Sequence, residues 1–408
     1  MSANGRAAMR SPFQGVNVLD FSWVIAGPVI TRHLSMYGAN VVKIESHAKL
    51  DPARMTNFVG KPGKNKSLAF ALANVSKKSV TVDMKNPKGV DLVKRLVPWA
   101  DVVIENFSPR AMKSWGLDYG SLQKMNPGVI MLSASMQGQN GPNAMAFGTG
   151  PHLQGLVGLM DTTGWPDREP VGPGFAYTDM IGPWYAIAAL AASLVHRRKT
   201  GKGQYIDLSQ YETTLQFFAP ALMDYAATGR VQSREGNRSH RAAPHGAFRC
   251  SGDDRWCAIA VESDDEWRAL CAVAGRPEWA AHPSYATMAA RLQHSEALER
   301  LVESWTRTLP AEEVMRRLQA AGVSAGVVAN AKDISEDVQL AHRGHFAGVQ
   351  HPEIGPYLCE LPSFRISTAE PILVGAPRIG EHTKPVLQEI LKLSDEEIAT
   401  LEAEGVLH

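Results

Sequence analysis

Short buried runs and periodic apolar stretches alternate through the first half of the chain. Val16–Phe21 (Val-Asn-Val-Leu-Asp-Phe) and Asn40–Glu45 (Asn-Val-Val-Lys-Ile-Glu) read as strands on either side of an apolar-periodic stretch, Val29–Tyr37, that follows the turn Ala26-Gly27-Pro28. Strand, helix and strand in succession form a βαβ unit, which predicts a parallel sheet. The pattern repeats with a strand at Ser79–Met84, a helix at Pro87–Val97, and strands at Asp101–Glu105, Val129–Ala134 and Gln204–Leu208. The spacing predicts a helix over Pro183–Arg198, stopped by Gly201-Lys-Gly, and another over Tyr211–Thr228.

Two compositional breaks divide the chain. Gly138–Gly182 is rich in Gly, Pro and Thr, and a segment of that length without periodicity in a compact protein points to function. Gly229–Pro244 reads as a linker or exposed loop. Beyond it, Gly246–Cys250 and Trp256–Val261 predict a hairpin turning at Asp253-Asp254, with helices at Asp265–Ala274, Ala289–Trp305 and Ala311–Ala321. The expected division is a large domain begun by residues 1–228, a smaller α/β domain over 229–330, and a return of 331–408 to the large domain, ending in a helix Thr383–Leu391.

Composition narrows the function more than the fold. The 408 residues carry 42 Lys and Arg against 41 Asp and Glu, so no footprint for nucleic acid or for a membrane surface is expected. The most apolar helical stretch, Trp184–Val195, falls short of the roughly 20 residues that span a bilayer. Met1–Pro12 holds Arg6 and Arg10 but no apolar core of signal-peptide length, which points to the cytoplasm. Cys250, Cys257, Cys271 and Cys359 lack CxxC spacing and read as reduced, buried thiols; HExxH is absent, and no metal is expected.

Familiar cofactor motifs fail. No G-x-G-x-x-G follows a strand, and Gly63-Lys64 has no glycine five residues upstream to make a P-loop. Gly322-Val-Ser324-Ala-Gly326 matches the nucleophile elbow of α/β-hydrolases, yet a helix precedes it and a strand follows, the reverse of that motif's context, so it reads as a tight turn. The carboxylate of greatest interest is Asp179, in Tyr177-Thr-Asp179-Met-Ile-Gly-Pro183, just ahead of a helix whose first turn would hold Pro183, with Gly182 as its cap. A helix N-terminus favours the ionised form, which a nucleophile needs; an ordinary capping Asp fits the same local sequence. Lys77, Lys78 and Lys85 lie where parallel strands end, placed for a phosphorylated ligand or simply solvated.

Taken in order, the motifs resemble the family III CoA-transferases, the group of formyl-CoA transferase and carnitine CoA-transferase. The resemblance runs from Val18-Leu-Asp-Phe, Ala26-Gly-Pro28 and Gly38–Glu45 through Asp51-Pro-Ala-Arg54, Lys78–Lys85 and Ala100–Phe107. It continues through Gly138-Gln-Asn-Gly-Pro142 and Arg198–Gln204 to Gly380-Glu-His-Thr383. It implies a Rossmann-like large domain with a parallel sheet built from both chain ends, a smaller α/β domain, and two subunits threaded through each other. It implies no tightly bound cofactor: coenzyme A arrives as the acyl-CoA substrate, and the second substrate is a small carboxylic acid. Asp179 matches the family's catalytic aspartate, which forms an anhydride with the acyl group and then a thioester with CoA. Ala26, Val82, Asp83, Met84, Lys85, Asn106 and Phe107 match CoA-contacting positions.

This chain also departs from the formyl enzyme. Ile25 replaces a Gln, Ser46 and Ser114 replace arginines, and Thr149-Gly150 replaces a Tyr-Glu pair; Ala243-Pro-His245-Gly246 stands where a glycine-rich loop is expected. These departures imply a larger, less polar acyl pocket, for which Trp184-Tyr185 and the tract from Gln216 are candidate linings, a core role being equally open to them. Two rival readings remain. One is an α-methylacyl-CoA racemase, whose histidine would have to be His152; the other is a non-catalytic subunit paired with an active paralogue.

Overall fold

The computed structural model describes residues 11–56 and 63–408; Met1–Arg10, read above for want of an apolar leader, lies outside them. The chain divides into two compact units. One comprises residues up to Met160, Gly172–Val231 and His342–His408; the other comprises Asp161–Val171 and Gln232–Ala341.

The larger unit is organised by a six-stranded parallel sheet: β1 (Asn17–Asp20), β2 (Asn40–Glu45), β3 (Lys78–Thr81), β4 (Val102–Glu105), β5 (Ile130–Ser135) and β6 (Tyr205–Ser209), in the order β3-β2-β1-β4-β5-β6. Alternate residues feed two cores. Leu19, Val42, Val80, Val103 and Met131 face one side, while Val18, Val41, Val102, Ile130 and Leu132 face the other. A sheet buried on both faces needs such continuous apolar strands, which explains why the sequence showed runs rather than alternation. The order reverses between β1 and β4, and in open α/β sheets the crevice beyond the strand ends at that point is where ligands bind.

The sheet is not built from both chain ends, as the resemblance implied. All six strands come from residues 17–209, and the C-terminal part adds a separate hairpin, Phe346–His351 with Gly355–Glu360, and helices Thr383–Leu391 and Asp395–Ala403, the latter unforeseen. Residues 380–383 do approach the free edge of β3: His382 N–H donates to the Ser79 carbonyl (2.9 Å), and Thr383 Oγ1 accepts from Thr81 N–H (3.0 Å). Pro371, Gly375, Pro377 and Gly380 interrupt that segment, so it makes isolated bonds and no ladder. Its apolar residues Val386, Leu387 and Ile398 complete the core on one face of the sheet.

The smaller unit carries an antiparallel sheet of His245–Arg249, Trp256–Ala260 and Ser324–Val327. Its helices pack on a core that includes Phe248, Cys257, Trp267, Leu298 and Leu318. The expected helix Ala289–Trp305 is two helices, Met288–Gln293 and Ser295–Thr306, parted at His294. Ser324 opens a strand and follows helix Ala311–Ala320, so it is no nucleophile elbow. All four cysteines are buried and unpaired.

Candidate active site

Two features of the larger unit are candidate sites of chemistry, and the first is the start of helix Tyr177–Thr200. The helix begins six residues before the expected position: Pro183 is inside it, Gly182 is buried within it, and Asp179 occupies its first turn instead of preceding it. The local signals misled because Gly-Pro usually marks a start, whereas here burial of Thr178 and Ile181 carries the helix back past it. Pro183 has no N–H to return to the Asp179 carbonyl four residues earlier, which loosens the ladder where the carboxylate stands. The helix is long and apolar enough to cross a membrane by length and composition, but Ala186, Leu190 and Leu194 pack into the sheet's core.

Burial pushes the Asp179 carboxyl up to about 6. Among the described residues its carboxylate forms no hydrogen bond or ion pair, so nothing offsets the desolvation. The short helix Gly150–Leu156 packs beside it. A β-carbon on Gly150 would lie 3.2 Å from Asp179 Oδ2, so the glycine keeps that flank bare. His152 Nδ1 instead meets the backbone N–H (3.2 Å) and hydroxyl (3.1 Å) of Thr149, capping that short helix.

The second feature is a cavity of about 220 Å³ beyond the C-terminal ends of the strands, next to the switch between β1 and β4. Five of the expected positions, Val82, Asp83, Met84, Lys85 and Phe107, line it. Ala26 is the buried first residue of helix Ala26–Met36 and is not part of this lining. Asn106 lies beside it, with its amide engaged by the main chain of Trp23: Oδ1 accepts from Trp23 N–H and Nδ2 donates to the Trp23 carbonyl, both at 2.8 Å. Sequence reasoning missed the cavity's aromatic wall. Phe107 meets Trp23 edge-on at 5.2 Å and Trp115 at 6.0 Å, and the Lys49 ammonium lies 5.2 Å from the Trp23 ring. These residues come from three different connections, so no local pattern could join them. Ser46 is also in the lining, while Ser114 is exposed and donates only to Ala111.

Buried charges brace the strand ends below the cavity. Arg54 pairs with Glu45 (2.7 Å) and stacks on Phe70 (3.6 Å), Lys43 faces Asp51 (3.1 Å), and Lys77 faces Asp20 (3.2 Å). Burial opposes charging of Glu45, but the bonds from Arg54 and the charge of Lys43 hold it below the usual carboxylate range. Glu105, at the end of β4, has no cation beside it among the described residues, and burial pushes it up to about 7. Among the described residues no cluster of His, Cys, Asp and Glu is arranged to hold a metal.

The family model described as CoA-transferase family III matches residues 13–383. The chain is 32% identical to succinyl-CoA–D-citramalate CoA-transferase of Chloroflexus aurantiacus, over 97% of this chain and 98% of that one. It is 33% identical to the alpha subunit of succinyl-CoA–L-malate CoA-transferase from the same organism, over 100% and 95%. The crystal structure of a CAIB/BAIF family protein from Brucella suis superposes with a TM-score of 0.86 at 32% identity, covering 93% of this chain and 100% of the other.

Proposed function

The chain belongs to CoA-transferase family III, and from that membership we propose that it moves coenzyme A from succinyl-CoA to a hydroxylated dicarboxylic acid through covalent adducts on Asp179. The observation that carries this reading is the Asp179 carboxylate: sheltered, without a partner among the described residues, and raised to about 6. At neutral pH most of it is ionised, yet it is more basic than an exposed aspartate and hence a stronger nucleophile.

The chemistry closes on itself. A carboxylate oxygen of Asp179 attacks the thioester carbonyl; the C–S bond breaks, CoA thiolate leaves, and a mixed anhydride forms. The thiolate attacks the aspartyl carbonyl of that anhydride, giving an aspartyl-CoA thioester and releasing the donor acid. The acceptor carboxylate then attacks the aspartyl thioester, regenerating thiolate and a second anhydride. Attack of the thiolate on the acceptor's acyl carbon delivers the new acyl-CoA and restores Asp179. No net hydrolysis occurs provided water is kept from the anhydrides, and the burial of Asp179 serves that requirement.

The cavity at the switch point is suited to the nucleotide end of CoA. Its aromatic wall offers stacking surface, while Lys49 and Lys85 supply positive charge for phosphates. Val82–Lys85 and Phe107 are the positions we assign to CoA contact, with Ala26 toward the thioester and Asn106 beside the wall. The donor and acceptor classes rest on the citramalate and malate transferases among the relatives.

We further assign an interlocked homodimer, with pairing to a paralogue as the alternative that the relative's alpha-subunit name keeps open. Exposed apolar residues on two long helices support a covering partner: Tyr185 on Tyr177–Thr200, and Phe217, Met223 and Tyr225 on Gln210–Thr228.

Incubation with succinyl-CoA and isotopically labelled L-malate or citramalate tests the reaction, and light scattering of the same sample tests the dimer. Label is expected in a new CoA thioester, with hydroxylamine trapping a hydroxamate on the Asp179 peptide. Failure of label to move with every dicarboxylate tried, or an unmodified Asp179 peptide during turnover, overturns the mechanism.

A further inference from the structure

Three residues between β1 and helix Ala26–Met36 are held with unusual completeness. Ser22 N–H donates to Asp20 Oδ1 (2.9 Å), and the Ser22 carbonyl accepts from the Lys43 ammonium. The Trp23 N–H and carbonyl are both bonded by the Asn106 amide, and Val24 N–H donates to Asp51 Oδ1 (3.0 Å). Every main-chain polar group from the Ser22 N–H to the Val24 N–H is therefore bonded by a side chain. Asp20, Lys43 and Asp51 are each no more than 1% exposed, and Lys43 joins two of the anchors by facing Asp51 at 3.1 Å.

The fastened backbone is a strained one. Val24 has φ +65°, a left-handed conformation that a β-branched residue rarely adopts, at a site where its side chain is 43% exposed and gains little from burial. Strain of this kind persists only where the surroundings over-determine it. Its structural result is the stance of Trp23, which stands in the wall of the switch-point cavity against Phe107 and beneath Lys49.

We propose that Asn106 is a positioning residue for coenzyme A that acts through Trp23 and not by contact with the ligand: with Asp51 and Lys43 it locks the left-handed turn at Val24 and so holds the indole wall in its binding stance. This rests on the reading that the cavity receives CoA. Loss of the clasp frees Val24 to relax toward negative φ and the indole to leave the wall. A glycine at 24 holds the same conformation without steric penalty, so it should substitute in part for the missing clasp.

The test is calorimetric titration of free CoA into the full-length protein, with steady-state kinetics alongside. Asn106→Ala should weaken CoA binding by about tenfold, the size expected for losing two hydrogen bonds that order a loop. KM for acyl-CoA should rise in step, with kcat and the acceptor's KM changed less than about twofold, as for a lost uniform-binding interaction. Adding Val24→Gly to that variant should bring affinity back to within about threefold of wild type, since it removes the left-handed penalty. Should Asn106→Ala fold poorly, Asn106→Asp, which keeps the acceptor for Trp23 N–H and loses the donor to its carbonyl, is expected to weaken CoA binding and to be rescued in the same way. If Val24→Gly restores nothing in a folded variant, the action through the turn is refuted and a direct ligand contact is favoured. If wild type binds CoA and the Asn106 variants bind it equally well, the positioning role alone fails. A wild-type protein that binds no CoA overturns the cavity assignment and this proposal together.

Discussion

The main chain of Gly150 backs onto the carboxylate of Asp179: a β-carbon at 150 would fall 3.2 Å from Oδ2 and 2.5 Å from the β-carbon of Ala176. Any side chain here must displace the first turn that carries the carboxylate. Gly150→Ala is therefore expected to lower kcat by roughly 100-fold, the scale of an ångström-sized misplacement of a reacting group. The protein should remain folded, with Tm lowered by a few degrees at most. Initial rates at saturating acyl-CoA, paired with a thermal melt, check both parts.

On the proposed mechanism the ionised form of Asp179 is the nucleophile, so its titration should set the acid limb of the pH–rate profile: kcat/KM level above pH 7 and falling about tenfold per pH unit well below the pKa of about 6. Rates measured from pH 4.8 to 8 in a constant-ionic-strength buffer series provide the check. A limb that begins only near pH 4, the ordinary aspartate range, would contradict the burial described above.

The same burial makes Asp179 a liability for stability. Its pKa is higher in the fold than in the unfolded chain, so the penalty is absent below about pH 4, grows as pH rises through 6, and is complete above that. Asp179→Asn should abolish transfer while raising stability at pH 8 by roughly 1–3 kcal/mol, and the gain should vanish toward pH 4. Thermal melts of both proteins across that range decide it.

Glu45 behaves in the opposite sense. Its pKa is depressed by Arg54, so the stabilisation is present above the unfolded-state value near 4.5 and is lost as pH falls below it. Both side chains are at most 1% exposed, and removing one leaves the other charged and unpaired. Glu45→Ala should cost about 3–5 kcal/mol at neutral pH, and wild type should begin to unfold below pH 4.5. Chemical denaturation at pH 7 and an acid titration followed by circular dichroism test the two statements.

The parallel sheet was legible because its strands had to be apolar on both faces; Val41-Val42 and Val102-Val103-Ile104 leave few alternatives. Asp179 could be singled out from its local sequence and from the resemblance, but its setting could not. Gly182-Pro183 imitates a helix start, and only the packing of Thr178 and Ile181 shows that the helix begins earlier. The extra strand that the resemblance implied for the C-terminal part is replaced by single bonds to β3, an outcome that the prolines and glycines there favour. Trp23, Lys49 and Trp115 were invisible because what unites them is the sheet's switch point, which exists only in three dimensions. The left-handed Val24 runs against local preference and has no sequence signal at all.

The discontinuity of the larger unit bears on how the molecule is made. Residues 232–341 emerge from the ribosome before Val386, Leu387 and Ile398, which seal one face of the sheet. Until those residues arrive, Leu19, Val42 and Val80 lack part of their cover, a nascent-chain interval in which chaperones and aggregation compete for the same greasy surface. All six strands, within residues 17–209, are made before the main segment of the smaller unit, and only the helices that close one of their faces come after it.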